Sequence, residues 1–115
     1  MGANLAVRDS AALTSLSGLD ALSNVDGYLE LGDNDALTSL SGLGALTSVG
    51  WYFSVHDSAA LVSLSGVDSL TTVGTGVYVA YNELLCEDEV DELVAQLVSF
   101  GGVLTNTANT GTCTP

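Results

Sequence analysis

The chain has 115 residues, enough for one domain with a modest core, and its 47% hydrophobic and 13% charged content excludes a disordered polymer. Fourteen acidic side chains stand against a single basic one, Arg8, for a net charge of −13. That imbalance repels phosphate, which excludes nucleic acid and anionic membrane surfaces as partners. No apolar run is long enough to span a bilayer. No signal peptide is read, since Met1 to Asn4 enters the repeat at once; Met1-Gly2 reads as an expression start on an excised or engineered piece.

An internal repeat organises the chain. Leu5–Tyr28 reads LAVRDSAALTSLSGLDALSNVDGY, Leu29–Tyr52 reads LELGDNDALTSLSGLGALTSVGWY, and Phe53–Gly76 reads FSVHDSAALVSLSGVDSLTTVGTG. These are three full units of 24 residues (5–28, 29–52 and 53–76) with no insertion or deletion, followed by a partial unit at 77–85. Such fidelity implies stacked coils in which residue i lies over residue i+24, one strand spacing away. The fold expected is mainly β: a right-handed parallel β-solenoid of about 3.5 coils, forming a single domain over 1–115.

Each unit opens with alternation, as in Leu29-Glu30-Leu31, which reads as a short strand with one buried face. Apolar residues then fall at every third position: Leu13, Leu16, Leu19, Leu22 and Val25, and again Leu37, Leu40, Leu43, Leu46 and Val49. A period of three fits neither an α-helix nor a long strand; it suits a coil that turns a corner every few residues. Gly18, Gly42 and Gly66 mark one corner, where positive φ or close backbone approach is expected, and Gly27, Gly50 and Gly74 mark another. Ser10, Asn34, Ser58 and Asn82 follow the strands and are expected to turn inward to satisfy backbone groups.

The segment Glu87–Val98 carries an apolar stripe at Val90, Leu93, Val94, Leu97 and Val98, with acids in its first turn, and predicts an amphipathic α-helix ended by Gly101-Gly102. Residues 86–113 thus read as a helical cap on the last coil. Cys86 and Cys113 bracket it, which suggests a disulfide and an oxidising compartment; a reduced, buried pair is the alternative. No cap of this kind precedes the first strand. Further repeats upstream, or a homodimer joined at that coil edge, are expected.

Leu29–Asn34 as L-x-L-x-x-N, the ALTSLSGL run of Ala36–Leu43, and Asn82-Glu83-Leu84-Leu85-Cys86 before the acidic helix resemble bacterial leucine-rich-repeat-like proteins related to the receptor L domain. The resemblance covers Leu5 to about Gly102. It implies a parallel solenoid with short strands, a role in recognition or cell-surface architecture, and an extracellular or cell-surface location. Ser10 and Ser58 stand where the pattern has asparagine, so the asparagine ladder is partial.

Chemistry has few places to reside. His56 is the only histidine, so neither a catalytic triad nor a multi-histidine metal site can be assembled. No cofactor motif appears, and the chain reads as a non-enzyme. Gly32-Asp33-Asn34-Asp35 resembles an oxygen-rich calcium loop only faintly, because Ala11 and Ala59 replace the second acid in the other copies. Asp9, Asp33 and Asp57 stack as like charges, to be held either by turn N–H groups or by a cation. On the outer strand face the register gathers Tyr28, Tyr52, Ser54, His56 and Tyr78, with Trp51 at the adjoining corner. Exposed aromatics on a rigid sheet suit a protein or carbohydrate partner; plain cross-strand packing is the other account, and makes the chain a purely structural repeat. Hydroxyl ladders at Thr14/Thr38, Ser15/Ser39/Ser63 and Ser17/Ser41/Ser65 bring ice binding in as a third reading, weakened by Val62 in the threonine column.

Overall fold

The computed structural model describes residues 4–10, 12–16 and 18–112. It is mainly β, a parallel β-solenoid with one helix. Five strands, β1 (Leu5–Arg8), β3 (Leu29–Gly32), β5 (Tyr52–His56), β7 (Gly76–Ala80) and β9 (Val103–Thr107), form one parallel sheet in that order. Four two-residue strands, β2 (Asn24–Val25), β4 (Ser48–Val49), β6 (Thr72–Val73) and β8 (Ser99–Phe100), form a second. The 24-residue register holds from coil to coil: Leu5 pairs with Leu29, Leu29 with Phe53, and Phe53 with Val77.

The period of three has a backbone cause. Most inward leucines close a tight turn on the residue three before them, as Leu37 N–H does on Asn34, Leu46 on Leu43, Leu61 on Ser58 and Leu70 on Val67, while Leu16, Leu40 and Leu64 turn their N–H to the coil ahead. One turn therefore buries one side chain and satisfies one N–H. The leucines of the second coil are fully buried, and with Phe53, Val55 and Val79 they fill the centre. Leu5, Leu13, Leu19 and Leu22 of the first coil are only partly buried. Gly18, Gly42 and Gly66 take positive φ at their shared corner, and at Gly66 a Cβ would also collide with the Leu40 carbonyl of the preceding coil.

The Ser/Asn column turns inward, and its asparagines work as joints between coils. Asn34 and Asn82 are both fully buried. Asn34 Oδ1 accepts from Ser10 N–H and its Nδ2 donates to Val7 O; Asn82 repeats this on Ser58 N–H and Val55 O. The column continues at a residue that the 24-residue register does not reach. Asn109 Nδ2 donates to Val79 O, and its Oδ1 accepts from both the backbone and the side chain of Asn82.

The described part of the expected helical cap, residues 86–112, is more than a cap. Helix α1 (Glu87–Gln96) stands in for the turning side of the fourth coil, and the chain then rejoins both sheets as β8 and β9. The register slips from 24 to 27, since Gly76 pairs with Val103 and Thr72 with Ser99. The helix ends at Gln96, short of Gly101, because Val98 N–H and Ser99 N–H both bond to Thr71 O and draw the chain into the sheet. Val98, expected on the apolar stripe, is 85% exposed. Val90 and Leu93 are buried against the core.

The helix also replaces backbone that a coil would have supplied. Leu16 N–H bonds to Ser41 O and Leu40 N–H to Ser65 O, each 25 residues on. Leu64 N–H continues the series on Glu89 Oε1 at 2.9 Å, so a carboxylate stands where the next carbonyl would be. Gln96 Nε2 donates to Val67 O and Leu70 O on the same edge. Cys86 caps the helix, its sulfur accepting from Asp88 N–H; Cys113 lies outside the described residues, as does Ser17.

Asn82→Ala strands Ser58 N–H and Val55 O in the core and is expected to cost about 3 kcal/mol in chemical denaturation. Glu89→Ala, which removes the acceptor for Leu64 N–H, is expected to cost about 1–3 kcal/mol, and Glu89→Gln less.

Candidate functional site

The outer face of the larger sheet has three columns. Tyr52, Gly76 and Val103 lie in the first; Glu30, Ser54, Tyr78 and Thr105 in the second; Arg8, Gly32, His56 and Ala80 in the third. Columns of this kind put directly opposed side chains in contact and diagonal ones within reach.

Two glycines make room for rings. A Cβ on Gly32 would lie 2.6 Å from His56 Cε1, so the imidazole rests on bare backbone of the preceding coil. A Cβ on Gly76 would lie 2.8 Å from Tyr52 Cε1, so that ring rests on the following coil. Tyr78 meets His56 edge-on, with centroids 6.1 Å apart and planes at 79°. The rings are therefore seated by the sheet and not simply displayed on it.

The only arginine and the only histidine of the chain share one carboxylate. Arg8 Nε donates to Glu30 Oε1 at 2.7 Å, and His56 Nε2 meets Glu30 Oε2 at 2.9 Å. His56 Nδ1 lies 2.8 Å from Asp57 Oδ2. The side chains of Glu30 and His56 are 22% and 19% exposed, which gives their pairing more weight than a fully solvated ion pair has. Burial alone would lower the His56 pKa, but its hydrogen bonds to Glu30 and Asp57 and their charges outweigh that and raise it. The His56 hydrogen bond lowers the Glu30 pKa; burial opposes this, and Arg8 assists.

Between Tyr52 and Tyr78 the face opens into a shallow cleft of about 460 Å³. Ser54, His56 and Glu30 lie along it on one side and Val103 and Thr105 on the other. Of the aromatics gathered by the register, Tyr52 and Tyr78 line this cleft with Ser54 and His56. Tyr28 and Trp51 do not: each lies before the strand at its corner, Tyr28 half-buried and Trp51 60% exposed. Arg8–Glu30 and Glu30–His56 are diagonal pairs of the repeat, 22 and 26 residues apart, yet neither Arg8 nor Glu30 was among the expected site residues. Val103 and Thr105 were not legible, because the slip to 27 hides them from the repeat.

The remaining polar ladders serve the turns. Asp9, Asp33 and Asp57 share left-handed backbone with φ of 55°, 56° and 52°, which aspartate tolerates better than most residues. Tyr81 and Ala108 adopt the same conformation in later coils, so the register sets the turn and not the carboxylate. In the Gly32–Asp35 segment, the Asn34 amide is taken up by backbone and Asp35 Oδ1 accepts from Ala59 N–H. Ser63 Oγ accepts from Ser65 N–H and bonds Glu89, and Ser39 Oγ bonds Ser41, so these hydroxyls are tied into local structure.

Comparison with protein-family models, with curated proteins and with solved structures finds no significant match to the chain.

The pH dependence has a definite sign. His56 has a raised folded pKa, so its contribution is complete below its unfolded value, about 6.5, and is lost as pH rises through the folded value. Glu30, lowered, contributes above its ordinary value and loses that contribution as pH falls through its folded value. Between about pH 6 and about pH 8.5 the parent's melting temperature is expected to fall more steeply than that of His56→Gln. Calorimetry on both proteins checks this.

Proposed function

We propose that this solenoid is a non-enzymatic recognition module that holds a protein or glycan partner against its strand face, between Tyr52 and Tyr78. The observation that carries the reading is the pair of seated tyrosine rings flanking an open cleft on a rigid sheet. Rings fixed before binding lose little entropy when a partner packs on them, and each offers an apolar face with a polar rim. Ser54 and Thr105 add hydroxyls between them.

The chemistry of the cleft supports binding over catalysis. A serine nucleophile needs a histidine nitrogen bonded to its hydroxyl, and the two nitrogens of His56 are bonded to Glu30 and Asp57 and not to Ser54. The leucine-rich-repeat-like scaffold and an extracellular or cell-surface setting belong to the same reading, with a Cys86–Cys113 bridge fastening the end of the chain beside the buried helix cap. No described helix is long and apolar enough to cross a membrane.

Glycan and peptide arrays should return a ligand class. Tyr52→Ser and Tyr78→Ser should each weaken its binding by about tenfold or more while leaving the fold intact by circular dichroism, the loss expected of a binding hot spot. Trp51→Ser, outside the cleft, should bind as the parent does. Full affinity in both tyrosine variants overturns the site.

A further inference from the structure

Beside the cleft, at the end of β5, three ligand-bearing side chains converge. One ligand atom each from Asp33, His56 and Asp57 lies within 4.8 Å of the others. We infer that these three residues form a binding site for a single divalent transition-metal ion of the zinc type, which adjoins the tyrosine cleft through His56 but does not use Tyr52.

The imidazole carries the inference, because its orientation is fixed from outside the trio. Glu30 Oε2 holds Nε2, Gly32 gives the ring its seat, and Tyr78 closes one side. Metal-binding histidines are held in this way, with the distal nitrogen donating to a carboxylate and the proximal one offered to the ion. In a neutral imidazole that donates through Nε2–H to Glu30, Nδ1 carries a lone pair. That lone pair faces Asp57 Oδ2 at 2.8 Å, acceptor against acceptor. Only a cation between them turns that contact from repulsive to attractive. A proton does so, and so does a metal ion. With zinc–nitrogen and zinc–oxygen bonds of about 2.0–2.2 Å in a tetrahedron, neighbouring ligand atoms stand roughly 3.3–3.5 Å apart, so the Nδ1–Oδ2 pair, now at hydrogen-bond distance, needs to open by only about half an ångström to share an ion.

Asp33 completes the set from the adjacent coil. It follows β3 as Asp57 follows β5, and both have the same left-handed backbone. Each of the two exposed carboxylates therefore brings one oxygen within 4.8 Å of a ring nitrogen of His56. One nitrogen and two oxygens suit zinc, cobalt or nickel better than calcium, which takes six to eight oxygens. Two carboxylates also neutralise the charge of a divalent ion, and the remaining coordination positions are left to water. Asp9 occupies the same column one coil earlier but has Gly32 in place of a second histidine beside it.

The test is calorimetric titration of the full 115-residue chain with Zn²⁺ at neutral pH and physiological salt, where diffuse attraction to the acidic surface is screened. One saturable site per chain is expected. Asp33→Asn and His56→Gln should each weaken it by about tenfold or more, and Glu30→Gln should weaken it by about tenfold through the orientation of the ring. Asp9→Asn and Tyr52→Ser should leave it unchanged, which separates this site from the cleft. Absence of saturable binding overturns the proposal, as does parental affinity in Asp33→Asn and His56→Gln. Should a variant fail to fold, NMR of the parent with added Co²⁺ decides the matter. Selective broadening of the His56 ring protons supports the site, and ring signals untouched at one equivalent refute it.

Discussion

In a parallel coil the backbone groups of the strands point along the stacking axis, so those strands can be completed only by neighbouring coils. Everything else in this protein depends on that constraint. The strands exchange their bonds coil to coil at constant register. On the turning side, Leu16 N–H and Leu40 N–H each reach a carbonyl 25 residues ahead. At the bend after the strand, buried Asn34, Asn82 and Asn109 each reach back to the coil before. Burial of leucine supplies the driving force, but the register of these bonds decides which leucine may be buried.

The same dependence explains the helix. A run of turns at that position would have needed a further run beyond it. An α-helix satisfies its interior backbone internally and has only side chains to offer sideways. Glu89 and Gln96 are the two that face the third coil, one an acceptor for Leu64 N–H and the other a donor to Val67 O and Leu70 O. With that edge closed, the chain is released to extend both sheets once more.

Much of this could be read from the residues. Constant spacing in three copies predicted the stacking, the inward leucines, the corner glycines and the asparagine joints, because each depends on identity at a fixed interval. Along the outer face, the same interval placed Ser54 beside Tyr78 and made Arg8, Glu30 and His56 diagonal neighbours. What escaped was whatever broke the interval. Val103–Thr107 has the composition of a strand, but the three extra residues spent around the helix displaced it from its column, and with it Val103, Thr105 and Asn109. The two-residue strands of the smaller sheet were hidden for a different reason: Ser48-Val49 and Thr72-Val73 are too short to show alternation and merge into the period of three. Tyr28 shares the column of Tyr52 by number and Trp51 was expected at the adjoining corner, but both fall outside the cleft, since orientation at a corner is not inherited from the strand that comes after it.

The slip from 24 to 27 residues also bears on how such a molecule can change over time. Within the first three coils a gain or loss of one whole unit keeps the 24-residue register, because every unit has the same length. Any other length change there would misalign the leucines of all subsequent coils at once. The helical coil alone absorbs an odd number of residues, since a helix can project slack away from the sheets. Heritable variation in length is thereby quantised along most of the chain and continuous only at its far end, so lengthening by duplication would widen the strand face while leaving the helical coil as it is.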